Sequence, residues 1–195
     1  MQKNIIVGID LAGTGKNPTG WAMWENKVVS ACQLYNNEEI LRRSISCDPA
    51  LIAIDAPLSL PAKDIMRGAD REMYKRGYPV FPPSFPSMEK LTLRAMKIAQ
   101  EIARRGFDVI EVHPTSTRKA LNMPTKDWDK IQTLFLHLGL KGDLEMRALT
   151  PHEIDATTAA LTGHLYLEGK TELVGDEKEG YIVVPLKRDW RGLQL

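Results

Sequence analysis

The stretch "NIIVGIDLAGTGKNPTGWAMW", residues 4–24, decides how the rest of this chain is read. Its opening, "NIIVGID", is a short, β-branched, almost continuous apolar run, the pattern of a strand buried on both faces in the middle of a sheet. The run stops at Asp10 and a glycine-studded loop. A carboxylate is expensive to bury unless it is paired or bound to a metal, so the charge at this strand end asks for a reason. The continuation, "TGWAMWENKVVSACQLY", alternates apolar and polar residues on both sides of Glu25-Asn26-Lys27. That pattern predicts two more strands joined by a tight turn, and hence an antiparallel meander of three.

Working outward, "NNEEILRRSIS" has an Asn cap, early acidic residues and apolar Ile40, Leu41 and Ile45 at helical spacing. "PALIAIDAPLSLP" is a second apolar run closed by an aspartate, Asp55, and "FDVIEVHP" is a third. Residues 62–86 differ in kind: "KDIMRGADREMYKRGYPVFPPSFPS" mixes charge, proline and aromatics without a long period and reads as an ordered insertion or lid. "SMEKLTLRAMKIAQEIARR" predicts a helix from Ser87, its cap, to Arg105, with Gly106 as the stop. Short helical material follows as far as Leu140. "TPHEIDATTAALTGHLYL" predicts a capped helix with Pro151 in its first turn, and a final "YIVVPL" reads as an added edge strand. The expectation is an α/β chain of one domain, 1–195, with a mixed sheet in which strands one, four and five run parallel under helices on both faces.

Composition narrows the function classes. The 195 residues are 43% hydrophobic and 26% charged, as in an ordinary globular protein with a proper core. With 26 basic and 25 acidic side chains the net charge is +1, so the global positive field of avid, non-specific nucleic-acid binders is absent and any such binding is local. Cys32 and Cys47 have neither metal-ligand spacing nor the density of a disulfide framework, and a reducing cytoplasm fits them best. The N-terminal apolar run is too short for a signal segment or a membrane span, so no membrane association is expected.

The chemistry is expected where the strands end. In an open parallel sheet the carboxyl ends of adjacent strands line the ligand crevice, so Asp10 and Asp55 would face each other there. Two close carboxylates repel, and a divalent cation is the simplest remedy. Either aspartate alone is equally well an ordinary turn residue. His152 lies three residues before Asp155 and therefore on the same helix face, whereas Glu153 lies roughly opposite Asp155; both His152 and Glu153 also suit a plain first turn. The loop "AGTGKNPTG" matches neither the P-loop nor the dinucleotide fingerprint. It reads as a connection whose Lys16 and backbone could touch phosphate. Arg67, Arg71, Lys75 and Arg76 beside Tyr74, Tyr78 and Phe81 suit phosphates and stacked bases, or equally a solvated helix face followed by a packing loop.

In order, "GIDLAG", "GWA", "AIDAPL", the stretch carried by Arg67, Asp70, Arg71, Tyr74, Arg76 and Gly77, "EVHP" and "HEIDATTAAL" resemble the domain-of-unknown-function 429 family, described as predicted nucleases of the ribonuclease H-like fold. The last helix is also similar to that of RuvC-type Holliday-junction resolvases, in which a His or Asp precedes the final Asp by three residues. The resemblance implies a five-stranded mixed sheet and a metal-dependent phosphodiester hydrolase, a nuclease acting on DNA or RNA. Two Mg²⁺ or Mn²⁺ ions about 4 Å apart would activate water and stabilise the leaving oxygen. It implies Asp10, Asp55 and Asp155 as catalytic metal ligands, with His152 completing the set and Glu111 a further candidate by position. Arg67, Arg71, Arg76 and Lys16 are the expected substrate contacts, and resolvase-like activity would demand a homodimer.

Two other readings stand beside it. One is a non-catalytic nucleic-acid or nucleotide-binding module of the same fold, which near-neutral charge favours. The other is an actin-like or sugar-kinase-like phosphotransferase, suggested by the glycine-rich turn after the first strand, for which the chain is short.

Overall fold

The computed structural model describes residues 5–195; Asn4, with which the expected first strand begins, lies outside them. The sheet is built around β1 (Ile6–Asp10), β2 (Thr19–Glu25) and β3 (Val28–Leu34), antiparallel neighbours in that order. Asn26 and Lys27 both adopt positive φ, 48° and 68°, the geometry of a two-residue turn whose twist matches that of the strands. After α1 (Asn37–Ser46), capped by the Asn36 side chain, β4 (Leu51–Asp55) returns parallel to β1 on its other side. Next come α2 (Gly68–Lys75) and α3 (Pro86–Ala103), and then β5 (Val109–Val112), parallel to β4. The expected five-stranded arrangement is therefore present, but the sheet is larger.

Among the described residues it has eight strands, in the order β6-β3-β2-β1-β4-β5-β8-β7. After α4 (Pro114–Ala120) and α5 (Trp128–His137), the two-residue β6 (Lys141–Gly142) extends one edge. The short α6 (Asp143–Met146) and long α7 (Pro151–Leu167) lead to the hairpin of β7 (Thr171–Asp176) and β8 (Gly180–Pro185). The "YIVVPL" strand is thus not an edge: β8 pairs in parallel with β5, and β7 forms the edge. β6 is too short to show a period, and β7 buries Val174 alone, so neither carries the alternation by which a strand is recognised. The third helix starts one residue before Ser87, with Phe85 as the cap residue and Pro86 in the first turn; proline's fixed φ suits that position.

Alternation within the strands sorts the core. Val7, Ile9, Ile52 and Ile54 face α1 and α3, packing with Ile40, Ala95, Ile98 and Ile102. The intervening residues face α7: Ile6 packs with Ile154 and Leu161, and Ala53 with Ala159. Two glycines bring α7 down onto the sheet. A Cβ on Gly8 would lie 2.0 Å from the Ala156 carbonyl oxygen, and one on Gly20 would lie 1.9 Å from that of His152. Only hydrogen fits at either place.

The 62–86 segment is anchored on the sheet side. Glu179, in the β7–β8 turn, accepts from the backbone N–H groups of Ala62 and Gly68 at 2.8 and 2.7 Å. Buried Arg67 ties the segment to β5, as described next.

Candidate active site

Strand alternation delivers the acids. Asp10 is two residues beyond Gly8, on the face that α7 covers, and it pairs in register with Asp55 across the parallel β1–β4 ladder. Register partners in a parallel pair share a face, so both carboxylates stand at the carboxyl edge of the sheet and meet the start of α7. Thr150 caps that helix and forms a reciprocal capping box with Glu153. Glu153 is thereby turned away, buried against Arg147 at 2.6 Å. His152 and Asp155 are left facing the strands: the Nδ1–H of His152 donates to Asp10 at 2.6 Å.

Electrostatics shows how close the acids are. Burial pushes the Asp55 carboxyl well above its ordinary range, and the charges of Asp10 and Asp155 push it further. Burial also raises Asp155, against the pull of Arg118. His152 is raised first by its hydrogen bond to Asp10. Arg118, a buried residue of α4, donates to Asp155 and, at 3.1 Å, to the Thr158 hydroxyl, while its guanidinium lies 5.4 Å from the centre of the Trp128 ring. The acid cluster thus contains its own cation.

Glu111 borders the same pocket as Asp10 and Asp55, and its charge also raises Asp55, but its carboxylate is held by other partners. It is the register partner of Ile54, which faces α1 and α3, so alternation sends it to the other face from Asp55. There it is buried, accepting from Arg67 at 2.5 and 2.7 Å and from the Leu58 N–H at 2.8 Å. Arg67 is 1% exposed and also grips Asp70 at 2.8 Å. It locks the insertion to β5 and is not presented to solvent as a phosphate contact. Arg71 reaches Asp64 and the Met66 carbonyl, Arg76 pairs with Glu72 and Glu172, and Lys16 lies exposed in the β1–β2 loop.

A pocket of about 190 Å³ opens beyond the ends of β1, β4 and β5, lined by Asp10, Asp55, Glu111 and His113. Sequence reading gives no role to His113 or Arg118. His113 directly follows β5, whose last residue is Val112, whereas Asp10 and Asp55 are the last residues of their strands; nearness to a strand end was the available signal. Its Nδ1 lies 2.7 Å from the Ser116 hydroxyl. Burial, with the nearby positive charges of Arg118 and Lys119, lowers its pKa to about 4, so the ring is neutral at physiological pH.

The donor set can be tested against a divalent cation. Its oxygen donors are hard, and among the described residues no hydrogen-bond donor reaches the Asp55 carboxylate, so the chemistry of the site fits a hard divalent cation. The side chains are not closed round a metal position: among the described residues, no group of three or more His, Cys, Asp or Glu stands as a ready metal cage.

The family model for proteins of unknown function DUF429 matches residues 8–180. The chain belongs to the DUF429 family. The match spans every acid of the site, from Asp10 to Asp155. Among solved structures, the DUF429 chain is similar to one described as T. thermophilus RuvC in complex with Holliday junction substrate, with 17% identity over 85% of this chain and 96% of that one and a TM-score of 0.48. A second Thermus thermophilus RuvC structure has the same identity and coverage and a TM-score of 0.45. No curated protein matches the DUF429 chain in sequence. No helix among the described residues is long and apolar enough to cross a membrane.

Proposed function

We propose that this DUF429 protein is a divalent-metal-dependent phosphodiester hydrolase acting on nucleic acid, with a ribonuclease H-like arrangement of its central strands. One observation carries the reading: Asp10 and Asp55 are register partners at the carboxyl edge of the sheet, and α7 sets His152 and Asp155 against them. Nothing in the packing of a sheet calls for carboxylates to be gathered at one edge, since each adds to the repulsion felt by the others.

Asp10, Asp55 and Asp155 would hold the cation, Mg²⁺ or Mn²⁺. When bound it supplies Lewis acidity toward a phosphoryl oxygen and lowers the pKa of its water. His152 fixes the orientation of the Asp10 carboxylate and keeps a proton at Nδ1, beside the cluster. Arg118 offsets the charge of Asp155 and holds that side chain toward the strands. His113, neutral and anchored through Nδ1, presents a ring to the same pocket without adding charge.

The test is calorimetric titration of Mn²⁺ and Mg²⁺ into the wild type and Asp10→Asn, followed by cleavage assays on single-stranded, duplex and branched DNA and on RNA. Metal binding and cleavage that both disappear in the folded Asp10→Asn protein are the expected result. Wild-type protein that cleaves none of these substrates with either metal overturns the reading. The contact of Arg118 with Asp155 favours the alternative of a non-catalytic binding module, because one acid is already neutralised; nucleic-acid binding without cleavage would select it.

A further inference from the structure

The carboxylates form only part of their pocket. Another wall comes from the end of the insertion and from α3, where Val80, Phe81, Met88 and Leu91 line the same space as Asp10 and Asp55. Phe81 is 72% exposed, while Tyr78 and Val80 beside it are buried, as are Pro82 and Pro83. The Pro83 carbonyl accepts from the buried Thr92 hydroxyl at 3.1 Å. Prolines at 79, 82 and 83 restrict the backbone on both sides of the ring. Phe81 is therefore an exposed aromatic on a backbone restricted by its neighbours, at the mouth of a charged pocket.

The arginines of the insertion are already engaged. Arg67 is bound to Asp70 and Glu111, Arg71 to Asp64 and the Met66 carbonyl, and Arg76 to Glu72 and Glu172. Besides Arg67 and Asp70, which are paired with each other, the insertion offers the pocket Val80 and the aromatic face of Phe81. In a nucleic acid the group with a matching face is the base.

We propose that Phe81, which lines the pocket with Val80 and Met88, is a stacking subsite for one unpaired nucleobase adjoining the phosphodiester that a cation at Asp10 and Asp55 would bind. The proposal rests on the hydrolase reading and names its substrate class: single strands, or a nucleotide extruded from its stack. Pockets that enclose whole drug-sized ligands run to ~300–1,000 Å³, so about 190 Å³ suits a single planar group. In a duplex the faces of each base are covered by its neighbours and become available only when the nucleotide is flipped out. Stacking on an aromatic ring is tolerant of sequence, because every base has a π face.

The test uses the whole chain with Ca²⁺ in place of Mg²⁺ or Mn²⁺, so that the acidic cluster is offset by a divalent cation and binding is read apart from hydrolysis, which intact strand at the end of the titration verifies. A short DNA strand carrying 2-aminopurine is titrated with protein, and its fluorescence reports stacking. Quenching by the wild type, a loss of affinity of about tenfold or more in Phe81→Ala, retention in Phe81→Trp, and weaker binding of the annealed duplex are expected. An alanine variant that binds and quenches like the wild type overturns the proposal, and so does equal affinity for strand and duplex or no strand binding at all. The melting temperature of Phe81→Ala, whose side chain is exposed, checks that the variant is folded. If strand binding depends on Phe81 but the wild type never cleaves, the hydrolase reading fails and the base subsite stands. Asp10-dependent cleavage that is indifferent to Phe81 overturns the subsite and leaves the hydrolase reading standing.

Discussion

The guanidinium of Arg118, on α4, is buried against the carboxylate of Asp155, at the start of α7, and so places a fixed cation among the three aspartates. Without it, Asp10, Asp55 and Asp155 would share one sheet edge with only His152 to offset them. The same contact competes with any divalent cation for Asp155.

Replacing Arg118 by Met leaves Asp155 largely buried without its partner. Breaking such a pair from one side costs about 3 kcal/mol or more, which lowers the melting temperature by roughly 10 °C in a chain of this size. Saturating Mn²⁺ should recover more stability in the variant than in the wild type, because a bound ion stabilises the folded state by mass action and here also meets the orphaned charge. Thermal unfolding of both proteins with and without Mn²⁺ measures it. A variant that melts like the wild type would show that the contact is energetically idle.

In the metal-free protein Asp55 makes a contribution to stability that falls as pH rises from about 4. Its carboxyl titrates near 3.8 when unfolded and well above that when folded. Between the two values this group holds more protons in the folded state than in the unfolded state, so its contribution falls with rising pH across that window. Asp55→Asn, which cannot ionise, should flatten this slope and be the more stable protein near neutrality. Urea unfolding of both proteins across the window is the measurement, and identical slopes would count against the burial of Asp55.

His113 works in the opposite direction. Its pKa is about 4 when folded against 6.5 unfolded. As pH falls from 6.5 toward 4 the unfolded chain takes up a proton that the folded one refuses, so stability is lost on acidification by roughly 3 kcal/mol at the lower limit. His113→Gln should remove that loss. The same urea series reads it, and an unchanged acid limb in the variant would refute the assignment.

Gly20→Ala tests how α7 is seated. The new Cβ would lie 1.9 Å from the His152 carbonyl oxygen, and backbone cannot give way as a flexible side chain can. Overpacking of this kind costs about 1–3 kcal/mol, and the displaced helix should carry His152 and Asp155 away from Asp10. Lower thermal stability together with weakened Mn²⁺ binding is expected. Unaltered metal binding in a destabilised protein would separate the helix seat from the site.

The three-stranded meander, the parallel return through Asp55, the Thr150-capped last helix and the acids at the strand ends were legible in the chain because each rests on local spacing. Strand alternation also contained the answer for Glu111, whose parity with Ile54 sends it away from Asp55; that parity shows itself once the register of β4 and β5 is known. The eight-stranded sheet was not legible, because β6 is too short for a period and the position of β8 beside β5 is a long-range pairing. The partners of the insertion's arginines and of Arg118 were decided by tertiary structure alone, as was the place of Phe81 at the mouth of the acidic pocket; its suitability for a stacked base was already readable in the chain. An arginine in sequence has the same charge whether it meets solvent, phosphate or a buried carboxylate, and only the folded chain supplies Glu111 to Arg67 and Asp155 to Arg118. The sequence by itself determined which residues could carry chemistry and at which strand ends they stand. Burial and long-range pairing decided which of them remain free to act, because these depend on contacts between segments far apart in the chain.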